Sequence, residues 1–192
     1  AMCVAAMYWP PAQRLVLNFV SIPYINLLLF VPVMCVLCAL QANKAVHPLN
    51  WYLLITFTIL MSLSVASVCG MYAMSGRGVL ILQAFGITMG TFLGLTLYAL
   101  FSGKDFTWMG GMLYMGLMGM IFMSFFGWLF GFSGGILMPI CGVILFIGFI
   151  LYDTSRILKV YGPDDAMIAS IELYLDILNL FLYILELLGS GN

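Results

Sequence analysis

Six long apolar segments limit the fold of this chain more than any other feature of its sequence. They cover residues 15–40, 49–74, 78–102, 107–131, 136–158 and 166–188. A transmembrane α-helix needs about 20 predominantly apolar residues, so each segment is long enough to cross a bilayer. Backbone amides cannot remain unpaired in lipid, which favours helices over other structures for these segments. The sequence predicts an all-α integral membrane protein whose residues 1–192 form a single multipass domain.

The charge content supports this class and argues against nucleic-acid binding. Charged residues make up 7% of the chain and hydrophobic residues 65%. A typical soluble protein has about 25% charged residues. The net charge is −1, without a basic cluster, so the electrostatic footprint of a nucleic-acid-binding protein is missing. The lipid bilayer is the expected partner, and nucleic acid is not.

The sequence contains no recognisable catalytic or metal-binding motif. Cys35 and Cys38 are one helical turn apart in an apolar segment, without an acid or a histidine nearby. This setting favours apolar packing over a redox or metal role. His47 is the single histidine and the five cysteines are scattered, which does not suit a zinc or iron–sulfur site. We expect neither an enzyme nor a bound cofactor.

The last apolar segment carries a line of polar residues. Within Asp165–Leu188 these residues follow one another at spacings of four, three, four and three: Glu172, Asp176, Asn179, Tyr183 and Glu186. This spacing places them on one face of a helix. An ionisable side chain at bilayer depth costs about 2.5 to 3.5 kcal/mol and usually faces a bundle interior or a cavity. The pattern predicts a polar interior beside this helix.

Asp153, near the end of the fifth segment, is a second acid within the membrane. A short loop joins the last two segments, so they should be antiparallel neighbours and Asp153 could meet Asp176. Two interpretations remain open. The acids form a pair that shares a proton, senses pH and transiently holds calcium when ionised. Alternatively, each acid is bound separately to a backbone group or to a base such as Arg156.

Other residues are candidates for supporting these acids. The position of Glu172 favours an ion pair with Arg156 or Lys159 over a role in the pair. Asn179 is a candidate for hydrogen bonds between helices. In the fourth segment the small residues predict close approach of a neighbouring helix: Gly110, Gly111, Gly116 and Gly119.

Several motifs together resemble a known family. Leu151–Gly189 contains YDT, with Asp153, and LYLD, with Asp176. This segment resembles the C-terminal signature of the transmembrane BAX inhibitor motif family, also called the Lifeguard or Bax-inhibitor-like family. Gln83–Leu100 and Lys104–Leu113 are similar to the same family. The resemblance implies a seven-helix bundle, of which this chain has six full transmembrane helices and a remnant of the first.

The resemblance also implies a function. In the family the two aspartates form a pH-sensing pair beside a pore, with calcium as the permeant ion, and members suppress cell death. The implied partners are calcium ions, other membrane subunits and cell-death regulators. Some members have an arginine near the end of the second helix that contacts the pair. At that place this chain has Gln41 and Lys44, which makes Lys44 a candidate supporting residue.

The resemblance also implies a location, and the departures from the family pattern suggest an alternative function. An endomembrane such as the endoplasmic reticulum or the Golgi is the leading expectation. The mitochondrial inner membrane and the bacterial plasma membrane are the other locations known for the family. The alternative function is a structural or regulatory subunit of a larger membrane complex, which keeps the fold without conducting ions.

Overall fold

Helices account for all the regular secondary structure that a computed structural model of the chain describes. It describes residues 25–43, 46, 48–131, 134–162 and 165–191. The α-helices are α1 (Ile25–Ala42), α2 (Leu49–Met74), α3 (Gly78–Ser102), α4 (Gly110–Phe130), α5 (Leu137–Lys159) and α6 (Ala166–Ser190), and a short 3₁₀ helix, Thr107–Met109, precedes α4. The predicted all-helical membrane fold is confirmed.

Within the described ranges, five helical stretches are long and apolar enough to cross a membrane. They correspond to the predicted segments from 49–74 onward. The shortest has 21 residues, and at about 1.5 Å per residue it matches a hydrocarbon core about 30 Å thick. The first predicted segment, 15–40, ends in α1. Its residues 15–24 lie outside the described residues, as do Lys44 and the remnant of a preceding helix.

The chain divides into two compact units, with the boundary between Ile81 and Leu82 near the start of α3. In the first unit α1 packs against α2. Leu40 of α1 and Phe57 of α2 are almost completely buried. The proposal of a single membrane domain over residues 1–192 stays a prediction.

In the second unit, α5 and α6 form an antiparallel hairpin, and α4 and the 3₁₀ helix pack against α5. Burial is concentrated in this hairpin. In their most apolar stretches, 44% of the residues of α5 and 33% of those of α6 are buried, against 17% in the stretch that contains most of α4. The interior of this unit therefore lies between α5 and α6.

Glycines allow the helices of the second unit to approach one another. A Cβ on Gly142 of α5 would lie 2.5 Å from the Tyr183 ring of α6. The predicted close approach in α4 occurs at two positions. A Cβ on Gly110 would lie 2.8 Å from Tyr152, and one on Gly116 would lie 2.9 Å from Leu145. The other two predicted positions, Gly111 and Gly119, have no such neighbour within 4 Å among the described residues.

Candidate functional site

Asp153 of α5 and Asp176 of α6 lie together in the interior of the hairpin. Only 4% of Asp153 and 5% of Asp176 is exposed. Because the two helices are antiparallel and packed along one another, residues near the end of α5 come level with residues in the first half of α6. The two carboxyl groups are close enough for a side-chain hydrogen bond between them. We call these two residues the aspartate pair.

The contact within the aspartate pair has a chemical consequence. An ionised carboxyl group accepts hydrogen bonds but cannot donate one, so a hydrogen bond between two carboxyl groups needs a proton on one of them. Oδ2 of Asp176 is buried and has no hydrogen-bond donor among the described residues. A proton on one carboxyl group supplies the donor for the hydrogen bond between the two residues. This arrangement suits a pair that carries one proton and one negative charge.

Arg156, three residues after Asp153, connects the aspartate pair to Glu172. Its Nη1 lies 3.4 Å from Oδ1 of Asp153 and 3.1 Å from Oε2 of Glu172. The structure thus contains the ion pair expected for Glu172. It also gives Asp153 both of the partners that the sequence left as alternatives, since this residue contacts Asp176 and Arg156 together.

Two tyrosine rings lie against the Arg156 guanidinium. The guanidinium carbon is 5.4 Å from the ring centre of Tyr152 and 4.5 Å from that of Tyr161. Such cation–π contacts stabilise a cation that is partly removed from water. The Tyr161 hydroxyl donates a hydrogen bond to Oε2 of Glu172. We call Arg156, Glu172, Tyr152 and Tyr161 the arginine cluster.

Tyr161 lies outside the helices, in the loop between α5 and α6. Burial, and then the hydrogen bond to Glu172, raise the pKa of its hydroxyl above the usual tyrosine range. Tyr161 is therefore protonated at physiological pH and remains a hydrogen-bond donor to Glu172.

The loop before the 3₁₀ helix is bound to the end of α5, next to the site. The backbone N–H of Phe106 donates to Oγ of Ser155, at 3.0 Å. Lys159 Nζ lies 3.5 Å from the carbonyl oxygen of Gly103 and 3.9 Å from Oδ2 of Asp105. One backbone and one side-chain hydrogen bond from Thr107 lower the pKa of Asp105. Asp105 is therefore ionised and can form an ion pair with Lys159. At this end of α5, Arg156 thus pairs with Asp153 and Glu172. Lys159 pairs with Asp105 instead.

The structure places two further residues of the polar line in α6, Asn179 and Glu186. Asn179 donates to the carbonyl oxygen of Leu175 in its own helix, at 2.8 Å, rather than to a neighbouring helix. Glu186 is exposed, ten residues beyond Asp176. Lys44 lies outside the described residues, so its supporting role stays a prediction.

Sequence reasoning missed three residues of this region: Tyr152, Ser155 and Tyr161. Tyr152 had a usable signal, because it precedes Arg156 by four residues and side chains at that spacing are neighbours on a helix. Tyr161 had none, since its loop position leaves the direction of its ring open. In the part of the chain that the structure describes, no group of three or more His, Cys, Asp or Glu residues is arranged for a metal ion. Transient calcium binding at Asp153 and Asp176 stays a prediction.

The family model described as "Inhibitor of apoptosis-promoting Bax1" matches residues 1–192. The chain belongs to this Bax inhibitor family. The resemblance recognised in the YDT and LYLD motifs is thereby confirmed.

Members of the Bax inhibitor family from distant organisms are similar to the chain. It is 42% identical over 155 residues to "Protein lifeguard 4" of Mus musculus, covering 80% of this chain and 63% of that protein. It is 38% identical over 155 residues to "Golgi anti-apoptotic protein" of Vaccinia virus (strain Lister), covering 80% and 64%. It is 33% identical over 169 residues to "Bax inhibitor 1" of Schizosaccharomyces pombe, covering 87% and 62%.

The matched region spans less than two thirds of the length of each of these relatives. Two of these relatives are named for opposing apoptosis or Bax. Family membership and five apolar helical stretches of membrane length together identify a multipass membrane protein of the Bax inhibitor family.

Proposed function

We propose that this protein suppresses cell death and lets calcium leak across its membrane, with the protonation of Asp153 and Asp176 controlling the leak. The observation that carries the proposal is the contact between these two buried carboxyl groups. Because removing an acid from water is costly, two acids held together at bilayer depth indicate a functional role rather than a packing role.

The charges around the pair suggest how protonation would control a cation. The guanidinium group of Arg156 contacts the carboxyl groups of Asp153 and Glu172, and Asp176 adds a third carboxyl group beside Asp153. With one shared proton, this group carries one net negative charge. When the proton leaves, two net negative charges remain, which repel one another and attract a divalent cation with oxygen ligands. The leak should therefore increase as pH rises.

The cell-death role and the location are supported by the relatives. One relative is named a Golgi anti-apoptotic protein and another a Bax inhibitor. By this similarity we place the protein in an endomembrane of the Golgi type, with suppression of cell death as its cellular effect.

Calcium flux through the purified protein tests the leak. Liposomes that contain a calcium-sensitive dye are reconstituted with the full chain and assayed from about pH 6 to pH 8, where a coupled carboxyl pair can titrate. We expect the flux to rise with pH, by up to about tenfold per pH unit if a single proton controls it. Asp176→Asn should give low flux at every pH, because an amide donates to Asp153 as the protonated acid does.

Glu186→Gln is the matched control. It neutralises an exposed acid on the same helix, away from the pair, and should leave the pH dependence of the flux unchanged. Equal flux and equal pH dependence in the wild type, Asp153→Asn and Asp176→Asn would refute control by the pair. No flux above empty liposomes from a folded wild type would instead favour a subunit without ion conduction.

A further inference from the structure

The connection between α3 and α4 crosses the end of α5 and is bound to it. It consists of residues 103–109, which end in the 3₁₀ helix Thr107–Met109. We call residues 103–109 the strap. The 3₁₀ helix packs against α5, and the ring of Phe106 contacts that of Tyr98 in α3, with ring centres 5.9 Å apart. The strap therefore contacts the ends of both α3 and α5.

One face of α5 carries the groups that hold the strap. Ser155 and Lys159 are four residues apart, which places them on the same face of the helix. Oγ of Ser155 accepts a hydrogen bond from the backbone N–H of Phe106, at 3.0 Å. Nζ of Lys159 lies 3.5 Å from the carbonyl oxygen of Gly103 and 3.9 Å from Oδ2 of Asp105. These contacts from one helix face hold the strap against α5.

The strap covers a part of α5 that also carries the site. Asp153, Thr154 and Ser155 are 4%, 5% and 1% exposed, although successive side chains of a helix point about 100° apart. Helix α6 covers one side, since Asp176 contacts Asp153. The strap covers another, since Phe106 contacts Ser155. The strap and α6 therefore enclose the last buried turn of α5, next to the aspartate pair.

Tyr152 connects the strap to the arginine cluster. A Cβ on Gly110, the residue directly after the strap, would lie 2.8 Å from the ring of Tyr152. The guanidinium carbon of Arg156 lies 5.4 Å from the centre of the same ring. A movement of the strap away from α5 therefore removes support from the ring that packs on Arg156.

The contacts of the strap suit its release without unfolding of the helices. Gly103 has a φ of +63°, a left-handed conformation that favours glycine at the start of the strap. Oδ1 of Asp105 accepts the N–H of Thr107 at 2.9 Å, so the strap has a turn of its own that does not depend on α5. The contacts of Lys159 are exposed and long, which makes them weak in water. Segments with few buried contacts open locally while the rest of a protein stays folded.

We propose that the strap is a conformational device that closes the end of the α5–α6 hairpin at Lys159. Its release from Ser155 and Lys159 admits water and cations to the site, and its return excludes them. The effect of the strap on the leak rests on the proposed function, whereas its opening and closing do not.

Release is tested with Ser155→Ala, which removes the acceptor of the Phe106 N–H. Amide hydrogen exchange of the full chain in lipid should become about two- to tenfold faster at Phe106, as for an opening equilibrium that loses one hydrogen bond. Calcium flux into dye-loaded liposomes at fixed pH should rise by a similar factor. Ser170→Ala is the matched control, because this exposed hydroxyl donates to Ala166 of its own helix. It should change neither the exchange nor the flux.

Closure is tested in the wild-type sequence with a carbodiimide, which joins a lysine amine to a nearby carboxylate through an amide bond with loss of water. The distance of 3.9 Å between Lys159 and Asp105 suits this bond, and mass spectrometry identifies the cross-linked peptide. Cross-linked protein should leak less calcium than untreated protein. The wild type should lose more flux on treatment than Asp105→Asn, which cannot form this bond but keeps every other carboxyl group.

A second measurement of closure does not depend on flux. Ser155→Cys places a thiol under the strap, in contact with the backbone N–H of Phe106. A water-soluble maleimide should label this thiol more slowly after the cross-link between Lys159 and Asp105 than before it. Mass spectrometry of the labelled peptide separates this thiol from the other cysteines.

The possible results separate this inference from the proposed function. Higher flux in Ser155→Ala, together with lower flux in the cross-linked wild type, supports the strap. Flux that neither change alters, or that falls in Ser155→Ala, overturns the strap while the proposed leak stands. If no form conducts, the proposed leak fails, and labelling decides: slower labelling after the cross-link supports the strap and an equal rate overturns it. If Ser155→Ala does not fold, the flux of the cross-linked wild type decides in the same way.

Discussion

Tyr161 illustrates how a single side chain outside the membrane segments can act on charges within them. Its ring covers the Arg156 guanidinium, and its hydroxyl donates to Glu172, the acid that pairs with Arg156. A hydrogen bond to a charged group stabilises a protein by about 1.5 to 3 kcal/mol when both partners are well placed. Because Tyr161 contacts an arginine on one helix and an acid on the other, it stabilises the junction of α5 and α6.

The raised pKa of Tyr161 predicts a pH dependence of stability. The hydroxyl titrates at a higher pH in the folded protein than in the unfolded chain, where its pKa is 10.0. Its contribution is therefore fully present below pH 10 and is lost as pH rises through the folded pKa. Tyr161→Phe should be about 1.5 kcal/mol less stable than the wild type at pH 8. The difference should decrease above pH 10.

Thermal unfolding in detergent between pH 8 and pH 12 measures this difference. Tyr52→Phe is the control, because it changes an exposed tyrosine of α2, and its unfolding should follow the wild type at every pH. A difference between Tyr161→Phe and the wild type that stays constant over this range would contradict the prediction.

At the level of elements, the α5–α6 hairpin places the aspartate pair. The ring of Tyr183 packs over Gly142 and stacks on Phe146, whose ring centre is 5.8 Å away. This contact is nearly two helical turns from Asp176, so it determines how closely the two helices approach and how they are aligned along their lengths. The position of the pair therefore depends on packing remote from the charges.

A larger residue at Gly142 should disturb this alignment. A Cβ there would lie 2.5 Å from the ring of Tyr183, and overpacking of a close contact typically costs about 1 to 3 kcal/mol. Gly142→Ala should lower the thermal stability of the purified protein in detergent. The matched control is Gly111→Ala in α4, where a Cβ has no such neighbour within 4 Å among the described residues.

A double variant identifies the cause of the loss. Adding Tyr183→Ala to Gly142→Ala removes the ring that the new methyl group meets, so the effects of the two changes should not add. Equal stability of Gly142→Ala and Gly111→Ala, or simple additivity in the double variant, would show that the close contact does not limit the helix packing.

At the level of the whole molecule, buried residues are distributed unevenly among the membrane segments. The two helices of the hairpin have the largest buried share, whereas α2 and the stretch that contains most of α4 have 22% and 17%. The exposed side chains of these segments are mostly apolar, which suits contact with lipid. The chain thus combines a polar site in its last hairpin with helices whose outer faces are apolar.

Cell survival tests the proposed function of the 192-residue chain. Cells that express it should survive an apoptotic stimulus better than cells with an empty vector, and the protein should colocalise with a Golgi marker. If the pair controls the effect, Asp176→Asn should reduce survival at equal expression, and Glu186→Gln should not. If cells that express the folded protein at the Golgi survive no better than cells with the empty vector, these 192 residues are not sufficient to suppress cell death.

The membrane class, the helical segments and the two intramembrane acids follow from the sequence, because hydropathy, segment length and spacing along a helix are local properties. The meeting of Asp153 and Asp176 was one of two alternatives, since spacing within each helix leaves their relative alignment open. The tertiary structure decided that Asp153 contacts Asp176 and Arg156 together, and that Tyr161 joins them through Glu172. Such contacts depend on the rotation of α5 and α6 about their axes and on the path of the loop between them. These are properties of the packed hairpin rather than of either segment.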